Sequence, residues 1–173
     1  MKDDVILYSV LFVLLFIAVL ILAIIAERSY SKAKALKKMK NWFEEMNGNG
    51  DGTQFEDFLE EFFKRCGWKV KRPTSSTNAP DFGVDLILDG KIAVQAKNYS
   101  DPVGDAAVQA IFSGAQYWKK NGFPHLKYSV VVTTSSFTKA AKKQAESIGV
   151  IMKDGTDLRE GLSVGFKKGW ILK

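Results

Sequence analysis

The sequence predicts an α/β domain, a mixed sheet flanked by helices, preceded by one transmembrane helix. Three observations predict it. A charge-free apolar run of 22 residues fills positions 5–26. Phe55, Phe58, Leu59, Phe62 and Cys66 recur at the spacing of one helical face. Short apolar runs follow, alternating with helical stretches, and one of them (YSVVVTT, 128–134) suits a central strand covered on both sides.

The run at 5–26 spans roughly 33 Å as a helix, enough for a hydrocarbon core of about 30 Å. A cleaved signal peptide is the competing reading. Such peptides have a basic start and a shorter apolar core, whereas Lys2, Asp3 and Asp4 make this flank net acidic. Residues 27–40 carry Arg28, Lys32, Lys34, Lys37, Lys38 and Lys40 against Glu27 alone. A Lys/Arg excess marks the cytoplasmic side. The expected protein is single-pass in the cell membrane, with its N-terminus outside and its soluble domain in the cytoplasm.

The formal net charge is +6. Residues 41–173 hold 18 Lys and Arg against 16 Asp and Glu, so most of the excess sits beside the membrane, where anionic headgroups explain it. The basic balance alone is therefore weak support for nucleic acid. Cys66 is the single cysteine, which excludes an intrachain disulfide and fits a reducing compartment. His125 is the single histidine, so a His-based zinc site or a Ser/His/Asp triad has little to stand on.

In chain order, a partly solvated helix is expected over 33–45. Residues 47–52 (NGNGDG) form a turn-rich break. That break lacks the acidic twelfth residue of a calcium loop, because Phe58 occupies the position. Thr53 and Glu56 read as a capping box opening a helix that Gly67 stops. Residues 68–71 alternate as a short strand, and 72–80 read as loop. Residues 84–88 and 92–97 read as strands joined at Asp89-Gly90, a hairpin signal. Asp101-Pro102 reads as an N-cap with proline at the first helical position. The helix so opened runs to about Lys120, with Val108, Ile111, Phe112 and Ala115 inward. Thr138 caps a helix to about Ser147, 150–152 form a last strand, and Asp154-Gly155 turns away. The expected divisions are an anchor (1–26), a basic juxtamembrane helix and linker (27–52), the domain (53–160) and a tail (161–173).

Asp85, Gln95 and Lys97 are polar groups set among Val, Ile, Leu and Ala. Charges so placed are costly unless paired or bound to metal. A two-residue loop at Asp89-Gly90 sends Asp85 to one face and Gln95 with Lys97 to the other. A three-residue loop with Gly90 left-handed puts all three on one face. So grouped, Asp85 supplies a hard oxygen for Mg2+ and Gln95 a weaker carbonyl oxygen. Lys97 orients water or offsets charge at phosphorus. The alternative is an internal Asp85–Lys97 salt bridge.

Asp81-Phe82-Gly83-Val84-Asp85-Leu86-Ile87 followed by Val94-Gln95-Ala96-Lys97 resembles the Mrr-type restriction endonucleases of the PD-(D/E)xK nuclease superfamily. That family shows D-x-G-x-D-L and then V-Q-x-K. Residues 103–115, the VVTTSSFTKAA stretch at 131–141, and Asp154-Gly155 with Leu158 match later family segments in order. Phe55-Glu56 and Gly67-Trp68-Lys69-Val70 match the opening helix and strand. The resemblance implies a restriction-endonuclease-like fold and a Mg2+ (or Mn2+) dependent DNA endonuclease of restriction or DNA-defence type. Asp85, Gln95 and Lys97 then match the catalytic strand residues, with Asp85 and Gln95 as metal ligands. Glu56 matches the helical acid near the metal, with capping as its alternative role. Asp81 matches a recurrent loop acid, with a turn role as the alternative. Gln95 departs from the superfamily's Asp/Glu, as is usual in this branch, and removes one negative charge from the metal site.

Two lysine-rich sets are candidates for DNA phosphates. One is Lys69, Lys71 and Arg72 beside Trp68; the other is Lys139, Lys142 and Lys143 on the exposed side of a helix. The expected partners are DNA and the membrane. A homodimer is left open, and no small-molecule cofactor is expected. The competing functions are a catalytically inactive, membrane-tethered DNA-binding or protein-docking module, and a nuclease for branched DNA or RNA.

Overall fold

Short connections pair strands antiparallel and helical crossovers make them parallel, and the last three connections of the sheet follow that rule. In the computed structural model, residues 2–46, 51–74 and 80–172 are described. The five strands are β1 (Val70–Lys71), β2 (Leu86–Leu88), β3 (Ile92–Lys97), β4 (Tyr128–Thr133) and β5 (Val150–Lys153), in spatial order β1-β2-β3-β4-β5. The first two pairings are antiparallel and the last two parallel. The helices are α1 (Lys2–Met46), α2 (Gly52–Arg65), α3 (Asp105–Lys120), α4 (Lys139–Ile148) and α5 (Gly155–Ser163), with a 3-10 turn at Lys168–Leu172. The result is a mixed five-stranded sheet flanked by helices, as the sequence predicts.

The chain divides into two units, Met1–Lys38 and Met39–Lys173. In the first, α1 is long and apolar enough to cross a membrane, and its large apolar side chains from Ile6 to Ile25 are exposed. The second is the folded domain. The last turns of α1 belong to it: Met39, Phe43 and Met46 are buried, and Phe43 and Trp42 pack on Phe58. These turns are the partly solvated helix expected, with Met39 and Phe43 turned into the core and most of their neighbours exposed.

Two cores sandwich the sheet. On one side α3 and α4 cover Ile87, Ala93, Val131 and Val150 through Val108, Ile111, Ala141 and Ala145. Alternate strand residues face the other way, toward α2 and its buried Phe55, Phe58, Phe62 and Phe63. Trp170 of the 3-10 turn closes that second core, edge-on to Phe62.

Several local expectations are corrected. The N-cap of α2 is Asp51, whose carboxylate accepts the Gln54 N–H; Thr53 is already helical, so Glu56 completes no capping box. Asp101-Pro102 does not open α3, which starts at Asp105 behind Gly104. Val103 instead makes a parallel bridge to Phe137 and postpones the helix. Phe112 is exposed rather than inward. Asp154 does more than turn the chain: it caps α5 in a reciprocal box with Asp157. The loop read over 72–80 lies partly outside the described residues, as do residues 47–50 of the NGNGDG break.

Candidate active site

The hairpin fixes which side chains can meet. Leu88 pairs with Ile92, Ile87 with Ala93 and Leu86 with Val94, leaving a three-residue loop at Asp89, Gly90 and Lys91. Gly90 is left-handed at φ 67°, and Asp89 is as well at φ 48°. This is the odd loop that the shared-face arrangement requires. Continuing the register by one position sets Asp85 opposite Gln95, with Lys97 two residues further on the same face.

Asp85 lies just before β2, and its Oδ2 accepts the Ala96 N–H at 2.7 Å. Burial pushes its carboxyl up to about 7; the Ala96 hydrogen bond opposes this, the negative fields of Glu56 and Asp81 add to it, and Lys97 opposes it. Among the described residues no ion pair within 4.0 Å joins Asp85 to Lys97, so the internal salt bridge is not formed. Gln95 is 3% exposed, and its Oε1 is buried without a hydrogen-bond partner. Such an orphaned acceptor costs about 1–3 kcal/mol, and a bound cation or its waters would satisfy it.

Glu56 reaches the site from α2. Burial raises its carboxyl, Arg72 opposes the shift, and Asp81 and Asp57 add to it. The Arg72 guanidinium grips Glu56 Oε2 at 3.0 Å, Glu60 Oε2 at 2.9 Å, and Asp57. Asp81 accepts the Gly83 N–H at 2.7 Å, so it has the turn role and adds negative field as well. Among the described residues no group of three His, Cys, Asp or Glu side chains is disposed to hold a metal. The donor set is instead one buried carboxylate and one amide oxygen, with further acids nearby. That suits Mg2+, which takes one or two carboxylates and keeps several waters.

The expected DNA-contact residues are scattered. Lys69 and Lys71, with Asp89, Lys91 and Lys168, line a cavity of about 550 Å3 at the turn end of the hairpin. At about 3.3 Å per residue, that end is roughly 16 Å along β3 from Lys97. Arg72 is engaged by three carboxylates and is 32% exposed. Lys139, Lys142 and Lys143 are exposed on α4. The sequence reading missed the Arg72 cluster, although Glu56, Asp57 and Glu60 at helical spacing announce an acidic face. It also passed over Phe82, an aromatic wedged between Asp81 and Gly83.

The pattern of a restriction endonuclease family, Mrr_cat, matches residues 48–162. Among solved structures, the chain is similar to a protein of unknown function, AF1548, at 17% identity and a TM-score of 0.43, over 57% of this chain and 55% of that one. It is also similar to the MspJI restriction endonuclease in complex with a 27-mer oligonucleotide, at 18% identity and a TM-score of 0.43, over 82% of this chain and 32% of that one. The chain thus spans about half the length of the first and a third of the second. No curated protein matches it.

Proposed function

Because the chain belongs to the Mrr_cat restriction endonuclease family, we propose that it is a divalent-metal-dependent endonuclease that hydrolyses DNA phosphodiester bonds at a membrane surface. One observation carries the reading: the unsatisfied, buried Gln95 Oε1 on the strand that faces the buried Asp85 carboxylate. A buried carboxylate next to an unsatisfied buried amide oxygen is a pair of hard donors that a divalent cation would coordinate.

Asp85 and Gln95 hold Mg2+ or Mn2+ in this reading. When bound, the ion polarises a phosphate oxygen and acidifies water. Asp85 must be ionised to bind, and its oxygen is oriented by the Ala96 N–H. Lys97, free of any ion pair within 4.0 Å among the described residues, places its ammonium beside the reacting phosphate and offsets the charge that builds there. Glu56 adds negative field from α2 and is kept in place by Arg72. Lys139, Lys142 and Lys143 on α4, with Lys69 and Lys71 at the hairpin turn, contact the DNA backbone.

The domain division that accompanies this function is the anchor at 1–26, the juxtamembrane helix and linker at 27–52, the nuclease domain at 53–160 and the tail at 161–173. The basic segment after the apolar helix sets the domain in the cytoplasm. A topology assay placing the C-terminus outside the cell would overturn that placement.

The catalytic test compares wild type with Lys97→Ala in Mg2+. Loss of cleavage with retained DNA binding supports the enzyme. The second reading is an inactive, tethered DNA-binding or docking module. It is favoured by the engagement of Glu56 with Arg72 and by the missing charge at Gln95. Folded wild-type protein that cuts no DNA form with any divalent ion would select that module.

A further inference from the structure

Phe82 is a bulky residue held where side chains rarely go. Its φ is 56°, in the left-handed region, yet its ring is 44% exposed, so the strain is not compensated by burying the ring. Three contacts enforce the conformation. Asp81 Oδ1 accepts the Gly83 N–H at 2.7 Å, and Trp118 Nε1 donates to the Asp81 carbonyl at 2.8 Å. The third is at Gly114 on α3, where a Cβ would fall 2.0 Å from the Phe82 carbonyl oxygen; only glycine admits the loop there. The exposed ring is therefore rigidly displayed. It lies on Tyr117, itself 40% exposed, with ring centroids 4.0 Å apart and planes 33° apart. The two rings form one aromatic surface.

The surface adjoins the candidate reaction centre. The residue after Phe82, Gly83, packs on the Gln95 amide: its Cβ position is 3.1 Å from Gln95 Nε2. Asp81, on the other side, adds its field to Asp85 and Glu56. We propose that Phe82 and Tyr117 form a base-stacking platform beside the scissile phosphate, so that the site takes nucleic acid with an unpaired nucleotide next to the bond cut. This rests on the nuclease reading of the same site. A flat aromatic face next to a phosphate-handling centre matches the π-face of a nucleobase. In intact duplex that face is covered by its neighbours. The substrate class is then a single strand, a flap or overhang, or a duplex with one base turned out.

The test uses the full chain in detergent or nanodiscs, with EDTA present. Labelled oligonucleotides of one sequence are titrated as single strand, overhang and blunt duplex, with 2-aminopurine as a stacking reporter. Wild type binds the unpaired forms more tightly and quenches the reporter. Phe82→Ala weakens single-strand binding roughly tenfold and blunt-duplex binding less than about twofold, whereas Phe82→Trp retains the preference. Tyr117→Ala, at an unstrained helical position, guards against misfolding at Phe82 and shows the same selective loss. A wild type without preference, or a Phe82→Ala variant that binds single strand as wild type does, overturns the proposal; the latter is what a protein-docking surface would give. Binding without metal needs no turnover, so the preference is read independently of cleavage. Stacking without any cleavage by wild type would leave the platform standing and remove the nuclease reading alone.

Discussion

Asp89 and Asp85 lie on one hairpin, four residues apart, and the fold shifts their carboxyl groups in opposite directions. Asp89 accepts the Lys69 N–H at 2.8 Å and Lys168 Nζ at 2.7 Å, and these partners pull its carboxyl below the usual carboxylate range. Asp85 has one backbone N–H and two acidic neighbours, and burial pushes it up to about 7. At the turn end the Asp89 carboxylate is fully engaged, by the Lys69 N–H and the Lys168 ammonium. The other end gathers Asp85, the orphaned Gln95 oxygen and Lys97, which makes no ion pair within 4.0 Å among the described residues. Stability alone does not favour such an end, which is why the difference points to chemistry.

The largest effect that would test the contrast is on turnover. Asp85→Asn is expected to lower DNA cleavage in Mg2+ by a hundred- to a thousandfold, read in a gel assay; an unaffected rate would remove Asp85 from the reaction. The same variant should have the opposite effect on stability. A folded carboxyl raised to about 7 keeps its proton more tightly than the unfolded chain does. Its contribution is therefore complete below the ordinary Asp value and is lost as pH rises through about 7. In EDTA at pH 8, Asp85→Asn should stabilise the domain by roughly 2–4 kcal/mol, and at pH 4 by almost nothing. Equal melting shifts at both pH values would contradict the buried-carboxyl description. For the same reason divalent binding, followed by calorimetry, should weaken as pH falls through 7.

Smaller effects sharpen the other end. Gln95→Leu removes an unsatisfied buried acceptor, so thermal unfolding in EDTA should show no loss or a gain of about 1 kcal/mol, while divalent affinity falls. A clear destabilisation would mean that Gln95 is structurally satisfied. Asp89→Ala should destabilise by about 1 kcal/mol and leave cleavage unchanged. Because the Asp89 carboxyl is lowered, its contribution is present above the ordinary Asp value and is lost as pH falls through the lowered one.

How legible these features are from sequence depends on how local their causes are. The hairpin is legible because Asp89-Gly90 marks the turn and the parity of Asp85, Gln95 and Lys97 requires an odd loop or a bulge if the three are to meet. The buried face of α2 is legible from the spacing of Phe55, Phe58, Leu59 and Phe62. The start of α3 is misread because the Asp-Pro signature is local, whereas the bridge from Val103 to Phe137 crosses more than thirty residues and overrides it. Arg72 reads as a DNA contact beside Lys69 and Lys71. The carboxylates it also engages lie twelve to sixteen positions earlier, and only the fold brings them near. Phe112 satisfies the helical period yet sits at the margin of the covered stripe, and a periodicity does not reveal where a neighbouring element ends.

The Trp170 contact bears on how this protein can be handled. Residues 161–173 read from sequence only as a tail, and the family match stops at residue 162. Yet Trp170 and Ile171 are buried, Trp170 rests on Phe62 and Phe63, and Gly161 is bare so that the indole can lie against α5. Trimming the chain to the family boundary would pull out this stopper and leave greasy rings open to water. An expression vector ending there should yield insoluble protein, and extending it by a dozen codons should restore solubility.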